Sequence, residues 1–238
     1  MCAALRRNDP IAPQLFAELR QSIIEMRLKP GEALSEKDIA LRYGVSRQPV
    51  REAFIKLSEA GLVDIRPSRG TYVRKISVRD VANARFVREA VECSLARYAA
   101  RLASPQDCAR LRALIVEQEA AAEANDYVRF NTLDEAFHAA IGDIVQCDYA
   151  VRIVEGARIQ NDRVRFLSLA EASPMPLLIA QHKEITAGLE AGDAERAEAA
   201  MRRHLREILV ALPRIARAHP DLFDDQDLPA YTVGLTPV

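Results

Sequence analysis

The stretch GVSRQPVREAFIKLSEAGLV, residues 44–63, decides the fold, because it holds a helix stop and a helix start only a few residues apart. Gly44 can end a preceding helix in the left-handed conformation, and Ser46 can cap the next one. Arg47 and Arg51 stand four residues apart at that helix start. Helix first turns favour acidic side chains, so two arginines at this position indicate an external anion.

Helical segments precede this stretch, and strand-like segments follow it. Apolar residues recur at helical spacing across residues 13–26, and Ser35 with Asp38 predicts the capped start of a short second helix. After the third helix, LVDIR and TYVRK alternate as strands do and are joined by the turn PSRG, residues 67–70. Three helices followed by a two-stranded ribbon predict a winged helix-turn-helix.

In this arrangement the third helix enters the DNA major groove with its N-terminal residues against base edges. Arg47 is then placed for a bidentate contact to guanine, and Arg51 for the same groove or a phosphate. Lys37 and Arg69 are candidates for contacts to the backbone or the minor groove. The alternative is a solvated helix face in a winged helix that contacts proteins. Residues 1–75 hold 14 Lys/Arg against 9 Asp/Glu, and the remainder holds 19 against 25, which favours DNA.

The run LKPGEALSEKDIALRYGVSRQPVREAFIKLSEAGLVDIRPSRGTYV resembles the DNA-binding domain of the GntR family of bacterial transcription regulators. The resemblance covers residues 13–75 and includes the PG turn, the VSRQPVREA helix start and the RGTYV wing. By this resemblance, the family's DNA-contacting and wing-tip positions fall on Lys37, Arg47, Arg51, Arg69 and Gly70.

From residue 77 onward the strand signal disappears, and helical segments follow one another. Ser104, followed by Pro105 and Asp107, is typical of a helix start. The pattern predicts helices at residues 78–102, 105–123, 126–145, 148–169, 176–190 and 193–217. We therefore predict a mainly α protein with three parts: a winged helix-turn-helix (α with a two-stranded β wing) at 1–76, an all-α antiparallel helical bundle at 77–217 and an irregular tail at 218–238.

The composition predicts a cytoplasmic protein. Of the 238 residues, 49 % are apolar and 28 % are charged, as is typical of globular domains. No apolar run approaches the roughly 20 residues that span a bilayer, and the polar start MCAALRRNDP does not resemble a signal peptide. The four cysteines lack C-x-x-C spacing and are predicted to be reduced thiols: Cys2, Cys93, Cys108 and Cys147.

Three of the four histidines lie on apolar helical faces. His138 follows Asp134 by four residues, a spacing that suits two ligands of one metal. His182 lies ten residues before Gly192 and His204 twelve after it, so an antiparallel hairpin brings the two rings level. A single inward histidine is more often an ordinary core residue, but burying four polar groups unpaired is costly. Three imidazoles and a carboxylate suit Zn²⁺, Ni²⁺ or a similar divalent ion.

The same region resembles the FCD effector-binding domain of the FadR-type branch of GntR regulators, with VREAVECSLARYAARLAS, LDEAFHAAI, QHKEITAGLEAGD and MRRHL in the family's order. The resemblance implies a divalent metal held by Asp134, His138, His182 and His204. It also implies a small carboxylate effector at the metal, with Arg88 completing the site and Arg163 or Arg165 supplying a second anion contact. For Arg88 the alternative is a surface ion pair with Glu92, four residues on.

These features predict a ligand-responsive transcription regulator, expected to repress and not to be an enzyme. The resemblance alone implies a homodimer, which would bind a pseudo-palindromic operator in double-stranded DNA. Two alternatives remain: a metal-dependent hydrolase or lyase fused to a DNA-binding module, and a sensor for which the metal itself is the signal. Against the enzyme, Glu135 next to Asp134 lies about 100° around the helix, so no general base stands beside the ligands.

Overall fold

The structure is a computed structural model that describes residues 9–171, 174–224 and 227–234. Two compact units form within these residues. The first comprises the described part of residues 1–77 with 219–224, and the second comprises residues 78–218 with the described part of 225–238. The prediction for Cys2, and the part of the tail prediction that concerns residues 225–226 and 235–238, lie outside the described residues.

The first unit is a helix-turn-helix with a small sheet. Its elements are α1 (Ile11–Ile24), β1 (Ala33–Leu34), α2 (Glu36–Tyr43), α3 (Arg47–Glu59), β2 (Val63–Arg66) and β3 (Gly70–Val73). Both strand pairs are antiparallel, in the order β1-β3-β2. The winged helix-turn-helix and its two-stranded ribbon, β2 paired with β3, are confirmed. A third strand, β1, joins the sheet and was not predicted, because its two residues are too short to show alternation.

The turn between α2 and α3 forms as its residues dictate, with one exception. Asp38 N donates to Ser35 Oγ at 3.2 Å, and Gly44 ends α2 with φ of 64°. Ser46 stands at the N-cap position of α3, but its side chain makes no capping hydrogen bond. The capping role predicted for Ser46 is therefore wrong, although its extended backbone suits the position.

The second unit is a helical bundle. Its elements are α4 (Val78–Leu102), α5 (Pro105–Glu123), α6 (Tyr127–Val145), α7 (Asp148–Glu171), α8 (Met175–Glu190), α9 (Ala194–Ala218) and a 3₁₀ turn (Ala230–Thr232). Each bundle helix begins and ends within two residues of its predicted bounds, and Ser104 and Asp107 form the expected capping box. In the described part of the chain, every helix is too short or too polar to cross a membrane.

A buried carboxylate fixes α4 against α9. Glu89 Oε1 accepts from Arg202 Nη1 at 2.9 Å and from Arg206 Nη2 at 2.6 Å, and Glu89 also pairs with buried Arg85. Burial raises the pKa of the Glu89 carboxyl, but the hydrogen bond from Arg206 and the charge of Arg85 outweigh it, so the pKa lies below its ordinary value. The folded state therefore stabilises the ionised form.

We expect Glu89→Gln to lower the free energy of unfolding by about 3 kcal/mol at pH 7, because it leaves buried Arg85 without a carboxylate. Since folding lowers the pKa of Glu89, this difference is complete above the ordinary value of 4.5 and shrinks as pH falls through the folded pKa. Urea unfolding at pH 7 and pH 3 measures it. Glu198→Gln, a more exposed site on α9, is the control and should cost under about 1 kcal/mol. A pH-independent difference would contradict this account.

A glycine allows α8 and α9 to approach closely. A Cβ on Gly188 would lie 2.8 Å from both the Cα and the backbone nitrogen of Ala197. Gly188 follows His182 by six residues, and Ala197 precedes His204 by seven. The contact between these two residues therefore sets the spacing of the helices close to both histidines.

We expect Gly188→Ala to lower the free energy of unfolding by about 1–3 kcal/mol, because the added methyl meets backbone that cannot rotate away. Gly156 in α7 has nothing within 4 Å of an added Cβ, so Gly156→Ala should instead stabilise the protein by about 0.5–1 kcal/mol. Thermal unfolding of the two variants beside the wild type gives the comparison. Stabilisation by both substitutions would refute the close-packing argument.

After α9 the chain returns to the first unit. Ile76 N donates to Leu222 O at 2.9 Å, and Asp224 N donates to Ile76 O at 3.1 Å. Ile76 and Phe223 thus form a parallel β-bridge, and both side chains are buried. The described part of the tail is mostly irregular, but this segment of it has fixed backbone partners.

Candidate metal centre and DNA-contact surface

Four side chains from three helices meet inside the second unit. Asp134 and His138 of α6, His182 of α8 and His204 of α9 each offer a ligand atom, and these atoms lie within 4.8 Å of one another. All four residues are buried. The Nε2 atoms of His138 and His204 are 3.1 Å apart, and His182 Nε2 is 3.4 Å from Asp134 Oδ1. The structure thus brings together the four residues that the sequence proposes as ligands.

Each imidazole in this cluster has an oxygen atom facing its Nδ1. The pairs are Gln118 Oε1 with His182 at 2.7 Å, Gln181 Oε1 with His204 at 2.9 Å, and a Glu92 carboxylate oxygen with His138. An acceptor oxygen requires the proton to reside on Nδ1, which leaves the lone pair on Nε2. Three Nε2 lone pairs therefore converge, as imidazoles do when they bind a metal.

These converging lone pairs fit a cation. His182 Nε2 is buried and has no hydrogen-bond partner among the described residues, and two lone-pair nitrogens at 3.1 Å repel each other. Protonation would relieve the repulsion, but burial lowers the pKa of His182 to about 3 and lowers the pKa values of His138 and His204 as well. The residues present therefore fit a divalent ion of the Zn²⁺ type.

Two arginines of α7 compensate the buried charge of Asp134. Arg158 Nη2 donates to Asp134 Oδ2 at 2.8 Å, and Arg165 pairs with Oδ1. Burial raises the pKa of the Asp134 carboxyl, but the charges of Arg165 and Arg158 outweigh it and hold the pKa well below its usual range. Asp134 is therefore ionised at neutral pH. Nothing in the residue pattern distinguishes Arg158 from the other arginines of α7.

Phe137 also positions the cluster, and sequence reasoning missed it. Its ring stacks on the imidazole of His182, with centroids 4.3 Å apart and an angle of 22° between the planes. An aromatic residue on an inward helix face ordinarily indicates core packing, so its pattern did not set it apart. The stacking fixes the plane of a ring whose Nδ1 is already fixed by Gln118.

A narrow cavity adjoins the cluster. It is lined by Arg88 of α4, by Asn161, Arg165 and Ser168 of α7, and by His204 and Glu207 of α9, with apolar side chains completing the wall. Two cationic side chains, an amide and a hydroxyl beside a metal ligand suit a small anion. The one carboxylate in the wall, Glu207, accepts a hydrogen bond from Gln181 Nε2 at 3.3 Å.

The alternative predicted for Arg88 was a surface ion pair with Glu92. The ion pair is present, but it is buried. Arg88 Nε donates to Glu92 Oε1 at 2.6 Å, and both side chains are buried. Arg88 Nη2 has no hydrogen-bond partner among the described residues, so the pairing leaves one donor available. Of the two α7 candidates, Arg165 borders the cavity, whereas Arg163 is buried and is not among the residues that line it.

In the first unit, the candidate DNA-contacting arginines of α3 differ in their surroundings. Arg47 is the first residue of the helix and is exposed, as is Lys37 on α2. Arg51 Nε and Nη2 donate to Glu36 Oε1 and Oε2, each at 3.0 Å. An internal carboxylate therefore compensates Arg51, a partner that the sequence analysis did not identify.

The wing tip is a tight turn between β2 and β3. Gly70 adopts a φ of 102°, which favours glycine, and Arg69 beside it is exposed. The Tyr72 hydroxyl donates to Arg69 O at 2.8 Å, and the Arg66 guanidinium lies 4.8 Å from the centre of the Tyr72 ring. Tyr72 thus fixes the turn that presents Arg69.

Two family models match this chain. The model described as "Bacterial regulatory proteins, gntR family" matches residues 11–73, and the model described as "FCD domain" matches residues 84–207. These matches cover the helix-turn-helix with its wing and most of the helical bundle.

Proteins similar to this chain over most of its length include named transcription regulators. "HTH-type transcriptional repressor RspR" of Escherichia coli (strain K12) is 39 % identical over 222 residues, which are 93 % of this chain and 97 % of that protein. "Uncharacterized HTH-type transcriptional regulator in unstable DNA locus" of Streptomyces ambofaciens is 38 % identical over 210 residues, 88 % of each chain. The solved structure "E. coli McbR/YncC" has a TM-score of 0.75 at 21 % identity and covers 88 % of this chain and 98 % of its own, which shows a shared fold.

Proposed function

Because this chain belongs to the GntR family of bacterial regulatory proteins and carries an FCD domain, we propose that it represses transcription in response to a small carboxylate held at a divalent metal. The matched families and relatives are transcription regulators, not enzymes. The proposed repression draws support from the name of the Escherichia coli relative. The GntR match implies DNA binding, and we place the protein in the cytoplasm, where its operator would be.

The convergence of three imidazole lone pairs and an ionised carboxylate beside an arginine-lined cavity carries this proposal. Asp134, His138, His182 and His204 would hold the metal. When bound, the metal would supply a Lewis acid for a carboxylate oxygen of the effector. Arg88 and Arg165 would hold the anionic end of the effector in the cavity and exclude neutral molecules.

The proposed DNA-contact surface belongs to residues 1–76, and effector sensing to residues 77–217. Arg47 would read a base edge, while Arg51, fixed by Glu36, would approach a phosphate. Lys37 on α2 and the turn of Arg69 and Gly70 would contact the backbone or the minor groove.

We further propose that the protein acts as a homodimer, which would place two copies of α3 about one DNA turn apart. An effector that favours one arrangement of the two DNA-binding units would change operator affinity by linkage. This requires the effector to bind the two arrangements with different affinity.

A thermal-shift screen of small carboxylic acids, with and without prior metal stripping, tests the proposal. An acid present at about 100 times its dissociation constant should stabilise the protein by about 2.7 kcal/mol. A shift that disappears on stripping supports the metal-held carboxylate. A shift that survives stripping would remove the metal from the effector site. If no acid shifted the metal-loaded protein while operator affinity followed Zn²⁺ alone, the metal itself would be the signal.

A further inference from the structure

The three Nδ1 partners of the cluster differ in charge. Gln118 and Gln181 present neutral amide oxygens to His182 and His204, whereas Glu92 presents a carboxylate to His138. A carboxylate facing Nδ1–H makes the opposite nitrogen a stronger donor to a metal than an amide does. His138 is therefore the imidazole whose donor strength depends most on its partner.

The Glu92 carboxylate is shared between two partners. One oxygen accepts from Arg88 Nε at 2.6 Å, and the other pairs with His138 Nδ1. The side chains of Arg88, Glu92 and His138 are at most 4 % exposed. Water therefore does not screen this chain of contacts, and each charge in it acts strongly on the next.

Arg88, at one end of this series of contacts, borders the cavity. Its Nη2 has no hydrogen-bond partner among the described residues. An anion bound at Arg88 Nη2 would neutralise part of the positive charge of Arg88, which now acts on Glu92. More of the negative charge of Glu92 would then act on His138 and strengthen Nε2 as a ligand.

We infer that Glu92 is a positioning residue that couples metal binding at His138 to anion binding at Arg88. The inference rests on the proposed metal and effector function and adds a route by which the two ligands influence each other. An anion that contacts Arg88 would tighten metal binding without contacting the metal, and by reciprocity the metal would tighten anion binding.

A double-mutant cycle with Zn²⁺ alone as the probe tests this coupling and requires no effector. Zn²⁺ affinity is measured by competition with a chromophoric chelator for the full-length wild type, Glu92→Gln, Arg88→Gln and the double variant. We expect Glu92→Gln to weaken Zn²⁺ binding about 10-fold to 100-fold. Arg88→Gln should tighten it about threefold to tenfold when Glu92 is present, and by less than about twofold in the Glu92→Gln background.

A matched control separates coupling from loosening of the site. The two ring nitrogens of His182 face Gln118 and Asp134. Gln118→Ala removes the first of these partners without altering Glu92, so it should weaken Zn²⁺ binding but preserve the full effect of Arg88→Gln. Loss of the Arg88 effect in the Gln118→Ala background would overturn the inference. If Glu92→Gln does not fold, Glu92→Asp replaces it. The shorter carboxylate retains the charge but not the contact distance, and it should at least halve the Arg88 effect.

The outcomes distinguish this inference from the proposed function. An equal effect of Arg88→Gln with and without Glu92 would show that Arg88 acts directly through its charge, and it would overturn the coupling alone. A wild-type protein that takes up no Zn²⁺ would overturn the proposed metal site and the coupling with it. Unfolding of each variant in zinc-free buffer verifies that affinity is compared between folded proteins.

Discussion

His182→Ala is expected to lose nearly all bound Zn²⁺, with affinity reduced about 100-fold to 1,000-fold. A four-ligand zinc site contributes about 10–16 kcal/mol in small zinc domains, so one ligand of four accounts for roughly 3–4 kcal/mol. His182 Nε2 is buried and lacks a hydrogen-bond partner among the described residues, and its ring is held by Phe137 and Gln118. Metal content after dialysis and chelator competition measure the loss.

The fourth histidine provides the matched control for this experiment. His219 belongs to the first unit and is not one of the four residues of the cluster, so His219→Ala should retain full metal content. The His182→Ala protein should also keep its winged helix, and with it the affinity for non-specific DNA. A full metal equivalent in His182→Ala would show that the four-ligand assignment is wrong.

Arg47→Ala is expected to weaken binding to the preferred DNA sequence by about 1–3 kcal/mol, or roughly 5-fold to 150-fold. Its affinity for scrambled DNA should fall much less, because that affinity comes from phosphate contacts made by many residues. Arg47 is exposed at the first residue of α3, where base-reading side chains of a recognition helix stand. Fluorescence anisotropy at one salt concentration, with a duplex selected from a random pool and its scrambled version, gives both values.

The neighbouring arginine is the internal comparison. Arg51 is paired with Glu36 and is proposed to contact a phosphate. Arg51→Ala should therefore weaken binding to both duplexes by similar factors and reduce the salt dependence of the affinity. The ion pair that it also removes is exposed and contributes little to stability. If Arg47→Ala reduced affinity for both duplexes equally, a base-reading role for Arg47 would be ruled out.

Local signals were sufficient to predict most of the helical architecture. Caps such as Ser104 with Asp107, and stops such as Gly44, act within one helical turn, so their meaning depends little on distant residues. The proximity of His182 and His204 was also predictable, because a short connection at Gly192 fixes the height of residues on both helices. Strand β1 was missed because its two residues extend only when β3 is beside them.

The partners of the cluster were not predictable in the same way. Gln118 and Arg158 reach the site from α5 and α7, and helical periodicity shows which face is buried but not which polar side chain meets another. The pairing of Arg51 with Glu36 joins residues fifteen apart across the turn. The burial of Arg88 with Glu92 depends on how four other helices pack against α4.

The return of the chain to Ile76 has a consequence for the order of biosynthesis. Residues 219–224 supply the backbone partners of Ile76, yet the ribosome makes them only after residues 78–218. At about 5–20 residues per second, synthesis of this last segment follows that of Ser77 by roughly 7 to 30 seconds. The first unit to emerge is therefore completed only after residues 78–218 of the second unit have been made, and a fragment that stops at Ser77 lacks part of the first unit.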